Sequence, residues 1–355
     1  MNYLSRRTFL SLSAASAGAL ALSACSQQSG INPGSSTFTV GEWGGVWNKA
    51  LADLKPSIES KTGLSILDAV YGSAGGATLL AQNPKAYNVG WLIPSDAARS
   101  LKSGVVQAID TSKVKAWNDI YPTLADPLSL DGKQYGVPIS WGVSGILYRK
   151  DVLGIDLTSW KDLWRPELKG KLTIQNAPSS GGLIVMLAAS KIFGSGLKDT
   201  DTGWAKMEEL KPNIQYLYNI SSDPIGKLVD GSVGACVSFA DFGIGLEDKG
   251  VTTVVPEEGS DSGPQLITIP SSVKGKDLDA AYKYINYMLS PEAQIEWSKA
   301  TQVAPANSAT VLPADVQKTL VETSDTAKTL WDIDYAWFGE NVAAWTEQWQ
   351  KIFTS

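Results

Sequence analysis

Four short stretches of this 355-residue chain place glycine and hydroxyl residues just where a helix is about to begin: Trp43-Gly44-Gly45, Ser73-Ala74-Gly75-Gly76, Ser179-Ser180-Gly181-Gly182 and Ser221-Ser222-Asp223. The first N–H groups of a helix have no internal partner, and small residues let a ligand reach them. The same residue types serve as plain helix caps, so contact and capping are both open at each turn. Trp43, Trp91, Trp141 and Phe239 stand beside the ends of strand-like runs. A ring in such a place either fills the core or stacks on a solute, adding roughly 0.5–2 kcal/mol when the solute is an ammonium. Asp241, in Phe239-Ala240-Asp241-Phe242-Gly243, is the first carboxylate to consider as a cation's partner, with Asp223 and Asp96 behind it and helix capping as their alternative role.

The residue types that are missing narrow the chemistry further. The chain has no His, which removes Ser–His and Cys–His catalysis and imidazole metal ligation. Of its two cysteines, Cys236 lies in the apolar run Gly234-Ala235-Cys236-Val237-Ser238-Phe239 and reads as a small core residue. No acid–base pair stands at close spacing. These absences weigh against catalysis and point to no metal or cofactor; a solute-binding protein, an enzyme on an α/β fold and a surface interaction protein stay open at this point. The formal charge is −6, and removing Arg6 and Arg7 with the first 24 residues brings it to about −8. An acidic chain without a basic cluster is a poor ligand for nucleic acid.

Strands and helices that alternate must position these groups. Apolar runs at 37–40, 64–70, 89–93, 146–148, 171–174, 233–239, 251–255 and 266–270 read as strands, and helical patterns follow several of them, as at 278–289 and 291–299. The alternation predicts an α/β class, in which ligands bind beyond the carboxyl ends of the strands. Ser159 with Asp162 three residues later predicts a capped short helix that Pro166 stops, and Ser95-Asp96 reads as a helix cap. At this length, with 43% hydrophobic residues, two core-bearing lobes are expected. The chain is read as crossing into the second lobe at 136–140 and returning through 256–263, an acidic, glycine-rich stretch that suits a surface loop. The tail, with Trp331, Trp337, Trp345 and Trp349, reads as an amphipathic helix whose rings pack in a core.

The first 24 residues read as a targeting segment. Ser5-Arg6-Arg7-Thr8-Phe9-Leu10 resembles a twin-arginine export signal, a general secretory signal being the alternative, and Leu22-Ser23-Ala24-Cys25 resembles a lipoprotein box. The apolar stretch between them is short for a membrane span. On this reading Cys25 carries lipid, and 25–36, polar and rich in Gly, Pro and Ser, is a flexible tether. Only Cys236 then remains as a thiol, so an internal disulfide is impossible.

The segment 137–182, with its pattern "VP…WG…G…Y…D…L…SW.DLW.P.LKGK" and a short strand after it, resembles the bacterial extracellular solute-binding proteins of ABC importers, especially the group that binds spermidine and putrescine. The likeness continues at Gly231 to Gly234 and Leu266 to Pro270, and at Leu289-Ser290-Pro291-Glu292-Ala293-Gln294. It implies a periplasmic-binding-protein-like fold of type II, two α/β lobes joined by a hinge with the ligand cleft between them. Lobe one would be 37–136 and 257–304, and lobe two 137–256 and 305–355, with the tail packed on lobe two. It further implies a monomer that captures a small polar solute, a polyamine or other amine, and delivers it to a membrane permease. Trp43 occupies the position of a ligand-facing aromatic. Relatives place acids at the second-lobe turn and in a Trp-x-Asp motif before the returning strand; here those places are 176–180 and Gly263-Pro264-Gln265, and neither holds an acid. A smaller amine, a zwitterion, or an anion on helix N-termini at Ser179 and Ser180 therefore stays open beside a long polyamine.

Overall fold

The computed structural model of the chain describes residues 37–71, 76–126, 128–177, 180–219 and 223–353, with nothing of the Ser180 side chain. The export signal, Cys25 and the tether lie outside these residues, as do Ser73, Ser179, Ser221 and Ser222. Strands β1 (Thr37–Glu42), β2 (Ser65–Val70) and β3 (Val89–Leu92) alternate with helices Val46–Thr62, Gly76–Gln82 and Pro94–Lys102. A hairpin of β4 (Ser129–Leu130) and β5 (Lys133–Gln134) leads to β6 (Val137–Trp141) and β7 (Ser144–Arg149). There follow β8 (Leu172–Gln175), β9 (Ile214–Tyr218), β10 (Ala235–Phe239), β11 (Val251–Val254), β12 (Gln265–Thr268) and β13 (Ala304–Pro305).

These strands form two main sheets. The first has the order β13-β6-β12-β3-β1-β2 and the second β11-β7-β10-β8-β9. Within them β1 and β3 run parallel, as do β8, β9 and β10, while β12 and β7 insert antiparallel. Each sheet has its own core. Phe38, Val40, Val89, Trp91 and Ile267 pack with helix residues Leu51, Ile58, Tyr284 and Trp297 on the first sheet. Ile146, Leu172 and Ile174 pack with Leu183, Leu187, Met207 and Trp349 on the second. Burial of each such side chain contributes about 1.5–3 kcal/mol, so either sheet gains a stable interior without the other.

The structure revises several local expectations. β6 pairs with β12 and β13 in the first sheet, so the chain leaves that sheet only at Gly142, later than the crossing read at 136–140. Ala306, Leu320 and Ala327 also belong to the first core, which places the early part of 305–355 there. The tail helix Tyr335–Phe353 buries Phe338, Trp345, Trp349 and Ile352 in the second core, yet it touches the first sheet's side as well. A Cβ built on its Gly339 would lie 2.4 Å from Ala98 Cβ in helix Pro94–Lys102, so only glycine allows the approach. Residues 160–164 form a 3₁₀ rather than an α-helix, although the Ser159–Asp162 capping box is present. Helix Pro94–Lys102 starts with Ile93 as its cap and Pro94 at its first position, leaving Ser95 and Asp96 inside the first turn. Proline's fixed φ and missing N–H suit that first position.

Candidate functional site

A cavity of about 40 Å³ lies where the strand ends of the two sheets face each other. From the first sheet's side come Ile93, Pro94 and Ser95, at the end of β3 and the start of its helix. From the second come Ser144, Gln175, Tyr218, Val237, Ser238 and Phe239, with Gly181 and Ile184 of helix Ser180–Phe193. Asp261 and Gly263, on the segment that returns to the first sheet, and Tyr335, at the start of the tail helix, complete the wall. The space takes only a few atoms, so a solute of ordinary size requires the two walls to part.

The returning segment is the unexpected part. Ser260, Asp261 and Ser262 are 1%, 5% and 4% exposed, so the stretch read as a surface loop is threaded through the middle of the molecule. The amide of Trp331 donates to Ser260 O at 2.8 Å, and the amide of Gly142 to Ser262 O at 3.2 Å. Ser260 Oγ donates to Ser144 O at 2.7 Å. Gly263 has φ +41°, and a Cβ there would come within 2.9 Å of Phe239 Cε1 and 3.1 Å of Gly142 O. Such a turn admits only a residue without a side chain. Asp261 is thereby held in the cavity wall, where burial raises its carboxyl above the usual range and the Ser144 and Ser260 hydroxyls act in the opposite direction.

Immediately behind this wall lies a second acidic cluster. Asp241 and Glu322 face one another under Gly142, whose hypothetical Cβ would be 3.7 Å from Asp241 Oδ2 and 3.6 Å from Glu322 Oε1. Asp241 Oδ1 accepts from the Val321 amide at 3.2 Å, and Glu322 Oε1 from the Val143 amide at 2.8 Å. Burial pushes Asp241 up to about 6. Burial and the neighbouring Asp241 carboxyl hold Glu322 well above the carboxylate range. The geometry thus spends Asp241 on a hinge contact, where it ties the end of β10 to the crossing chain, and removes it from the cleft.

The remaining sequence candidates divide in the same way. Phe239, 38% exposed, lines the cavity. Trp141 is 1% exposed, packs edge-on to Tyr121 and donates its indole N–H to Pro305 O at 3.0 Å, so it is a core residue. Trp91 stacks on Trp297 with centroids 4.7 Å apart, also in the core. Trp43 is half-buried, edge-on to Trp47 and Trp91, and does not reach this cavity. The Gly44 amide donates to the carboxylate of Glu42, so it is not free for a ligand. Burial, reinforced by Asp68, pushes Glu42 itself up to about 7. Gln265 accepts from the Ser140 hydroxyl inside the first sheet. Burial raises the Asp96 carboxyl above its ordinary value, and its pairing with Arg99 counters that only in part. Asp223 is an exposed first residue of helix Asp223–Val229. Sequence reasoning missed Ser95, Ser144, Gln175, Tyr218, Ser238, Asp261 and Tyr335. For Asp261 a signal was available, an acid flanked by serines just before Gly263-Pro264 and a strand. Among the described residues there is no cluster of three or more metal-ligating side chains, and no helix long and apolar enough to cross a membrane.

Two core-bearing sheets, chain crossings between them and a cavity at their facing strand ends describe a two-lobed binding protein of type II. The family model for bacterial extracellular solute-binding proteins matches residues 65–323, and the chain belongs to that family. It is 26% identical over 308 residues to the spermidine/putrescine-binding periplasmic protein of Salmonella typhimurium, covering 82% of this chain and 85% of that one. It is 28% identical over 294 residues to a putrescine-binding periplasmic protein of Escherichia coli, covering 74% and 77%. The crystal structure of an ABC transporter protein from Clostridium perfringens superposes with a TM-score of 0.79 at 26% identity, over 89% of this chain and 100% of the other. Both curated relatives are periplasmic solute-binding proteins by name, and the family's work is solute binding for transport.

Proposed function

We propose that the protein is the substrate-binding lipoprotein of an ABC import system, held at the outer face of a membrane by lipid on Cys25, and that its lobes close as a monomer on a small amine-bearing solute for delivery to the permease. The observation that carries the amine reading is the carboxylate of Asp261 in the wall of the interlobe cavity. The relatives' names, spermidine- and putrescine-binding, support the same class of solute. The proposed contacts are Ser95, Ser144, Ser238, Phe239 and Asp261, with Trp43, Ser73, Ser179 and Ser180 kept from the sequence as further candidates. The absence of His from the chain and the solute-binding family support a binding role for the site over a catalytic one.

One feature favours a second reading, an anionic solute such as a carboxylate or phosphonate. Gly181, in the first turn of helix Ser180–Phe193, lines the cavity, and that turn has no acidic residue. A thermal-shift panel of amines, amino acids, carboxylates and phosphonates separates the two. A ligand at a hundredfold its Kd adds about 2.7 kcal/mol, which is a shift of roughly 5–11 °C for a unit of about 150–250 residues. Amines should raise the melting temperature. A panel in which only anions do so replaces the first reading by the second. The anchor is tested separately: Cys25→Ser should move the protein from the membrane to the soluble fraction, since stable anchoring needs more than one acyl chain or signal. Retention of that variant in the membrane would remove the lipoprotein assignment.

A further inference from the structure

Resting on the amine reading above, we infer that Asp261 sets the charge selectivity of the cleft, so that it accepts a solute with a single ammonium group, alone or in a zwitterion, in preference to a diamine. Asp261 is 5% exposed and lines the cavity. Its partners are neutral. The Ser260 hydroxyl has one proton to give, and Ser144 O, at 2.7 Å, is nearer to Ser260 Oγ than Asp261 Oδ1, at 3.2 Å. The Ser144 hydroxyl and the amides of Ser144 and Asp261 also hold the carboxyl, and none of these partners carries a positive charge. Among the described residues no Lys or Arg lines the cavity. A buried carboxylate with only neutral partners gains most from an arriving cation.

A second ammonium finds no such place. Asp96, adjacent to the cavity residue Ser95, does not line the cavity and is charge-paired with Arg99 through Oδ1, although its buried Oδ2 has no hydrogen-bond partner, and Asp241 lies behind Gly142 against Glu322. Across the cavity, Gly181 belongs to the first turn of the 14-residue helix Ser180–Phe193, the positive end of a helix dipole. That end repels a cation and favours a neutral or anionic group. Ser238 Oγ, 6% exposed on the same wall, stands near the Tyr218 hydroxyl but has no hydrogen bond of good geometry, since that hydroxyl donates to Val237 O at 2.6 Å. It is free to meet a polar, uncharged or negative far end of the solute. The cavity therefore has one negative side and one positive side.

Four probes of equal chain length isolate the effect: butylamine, 4-aminobutyrate, 1,4-diaminobutane and butyrate, titrated by calorimetry into the full mature chain and its Asp261→Asn and Asp261→Ser variants. Butylamine or 4-aminobutyrate should bind the wild type at least about tenfold more tightly than 1,4-diaminobutane. Asp261→Asn should weaken the better of them by about 30-fold or more while the ligand-free melting temperature stays close to wild type. Asp261→Ser serves as the second variant if the first fails to fold. Tightest binding of 1,4-diaminobutane, or unchanged amine affinity in both variants, would overturn the inference and leave the amine reading in place. Binding of butyrate alone, or of none of the four, would remove the amine reading itself.

Discussion

The cleft wall and the hinge behind it are built from the same residue types, often from neighbours in sequence, and they do different work. Phe239 and Asp241 are two residues apart at the end of β10, yet the first lines the cavity and the second faces Glu322. Trp141 and Ser144 bracket Gly142, yet the indole is locked to Pro305 O and Ser144 faces the cavity. Asp241 and Asp261 are both buried carboxylates at the crossing of the lobes. One faces an acid and accepts from an amide behind the wall; the other is held by hydroxyls and amides and borders the cavity. The difference teaches that burial and charge do not by themselves mark a ligand contact. What decides is whether the carboxyl reaches the cavity wall and whether its partners carry charge.

That contrast is broken most forcefully at Trp141. As a core residue packed on Tyr121, it should lose about 3–5 kcal/mol of stability on Trp141→Ala, by the transfer and cavity terms of a large aromatic. Solute affinity of the molecules that remain folded should be unchanged. Urea denaturation and calorimetry together check this, and a variant of normal stability with weakened binding would move Trp141 into the cleft. Glu322 is next. Glu322→Ala strands the buried Val143 amide and should cost about 2–4 kcal/mol, whereas Glu322→Gln keeps an acceptor for that amide and should be nearly neutral. Equal losses in the two variants, read from denaturation midpoints, would mean that the carboxyl's own bond to Asp241, rather than its shape or its hydrogen bond with the Val143 amide, holds the hinge.

The titration of the hinge sharpens the same contrast. An unfolded Asp ionises near 4, whereas Asp241 in the folded chain does so near 6. Across that window the folded state holds a proton that the unfolded state has released, so stability is greatest below it and falls as pH rises through it. The loss is at most roughly 3 kcal/mol, at 1.36 kcal/mol per unit. Glu42, pushed up to about 7 by burial, contributes a slope of the same sign at slightly higher pH. Asp241→Asn should therefore reduce the decline between about pH 4 and 6 and leave the parts due to Glu42 and to Glu322, which burial also holds above the carboxylate range. Denaturation curves at closely spaced pH values test it; a wild-type profile that rises through this window would show that Asp241 is charged and paired in the folded state.

How much of this was legible beforehand follows the same division. The strands were readable because their apolar runs, such as Ile146-Leu147-Tyr148, carry their signal locally, and the capping box of Ser159 and Asp162 spans only three residues. The solute-binding family was readable from the motifs around 137–182 and 289–294. The site was not, because its assignments depend on partners far along the chain. Asp241 is taken out of the cleft by residues 321 and 322, and Ser260 is buried by a strand-like pairing with Leu330 that no local pattern announces. The acidic, glycine-rich composition of 256–263 is that of a loop, and it misled because its polar groups are satisfied inside the molecule by Ser144, Gly142 and Trp331.

Phe239 is the smallest and most discriminating test, since it belongs to both regions. Its ring stands edge-on to Phe242, with centroids 6.1 Å apart and planes at 90°, and it also covers the Gly142 and Gly263 turns. At 38% exposure it has less burial to lose than a core ring, so Phe239→Ala should cost about 1–2 kcal/mol of stability. Removing a ring from the cavity wall should weaken solute binding by roughly three- to tenfold, the scale of a single aromatic contact. The loss should be graded, with Phe239→Leu between the parent and the alanine variant, because Leu restores apolar contact but not the ring face. A stability loss of several kcal/mol with affinity intact would assign Phe239 to the hinge. The boundary between the two regions would then lie at the end of β10 itself, and the second sheet's share of the cavity wall would rest on Ser144, Gln175, Tyr218 and Ser238.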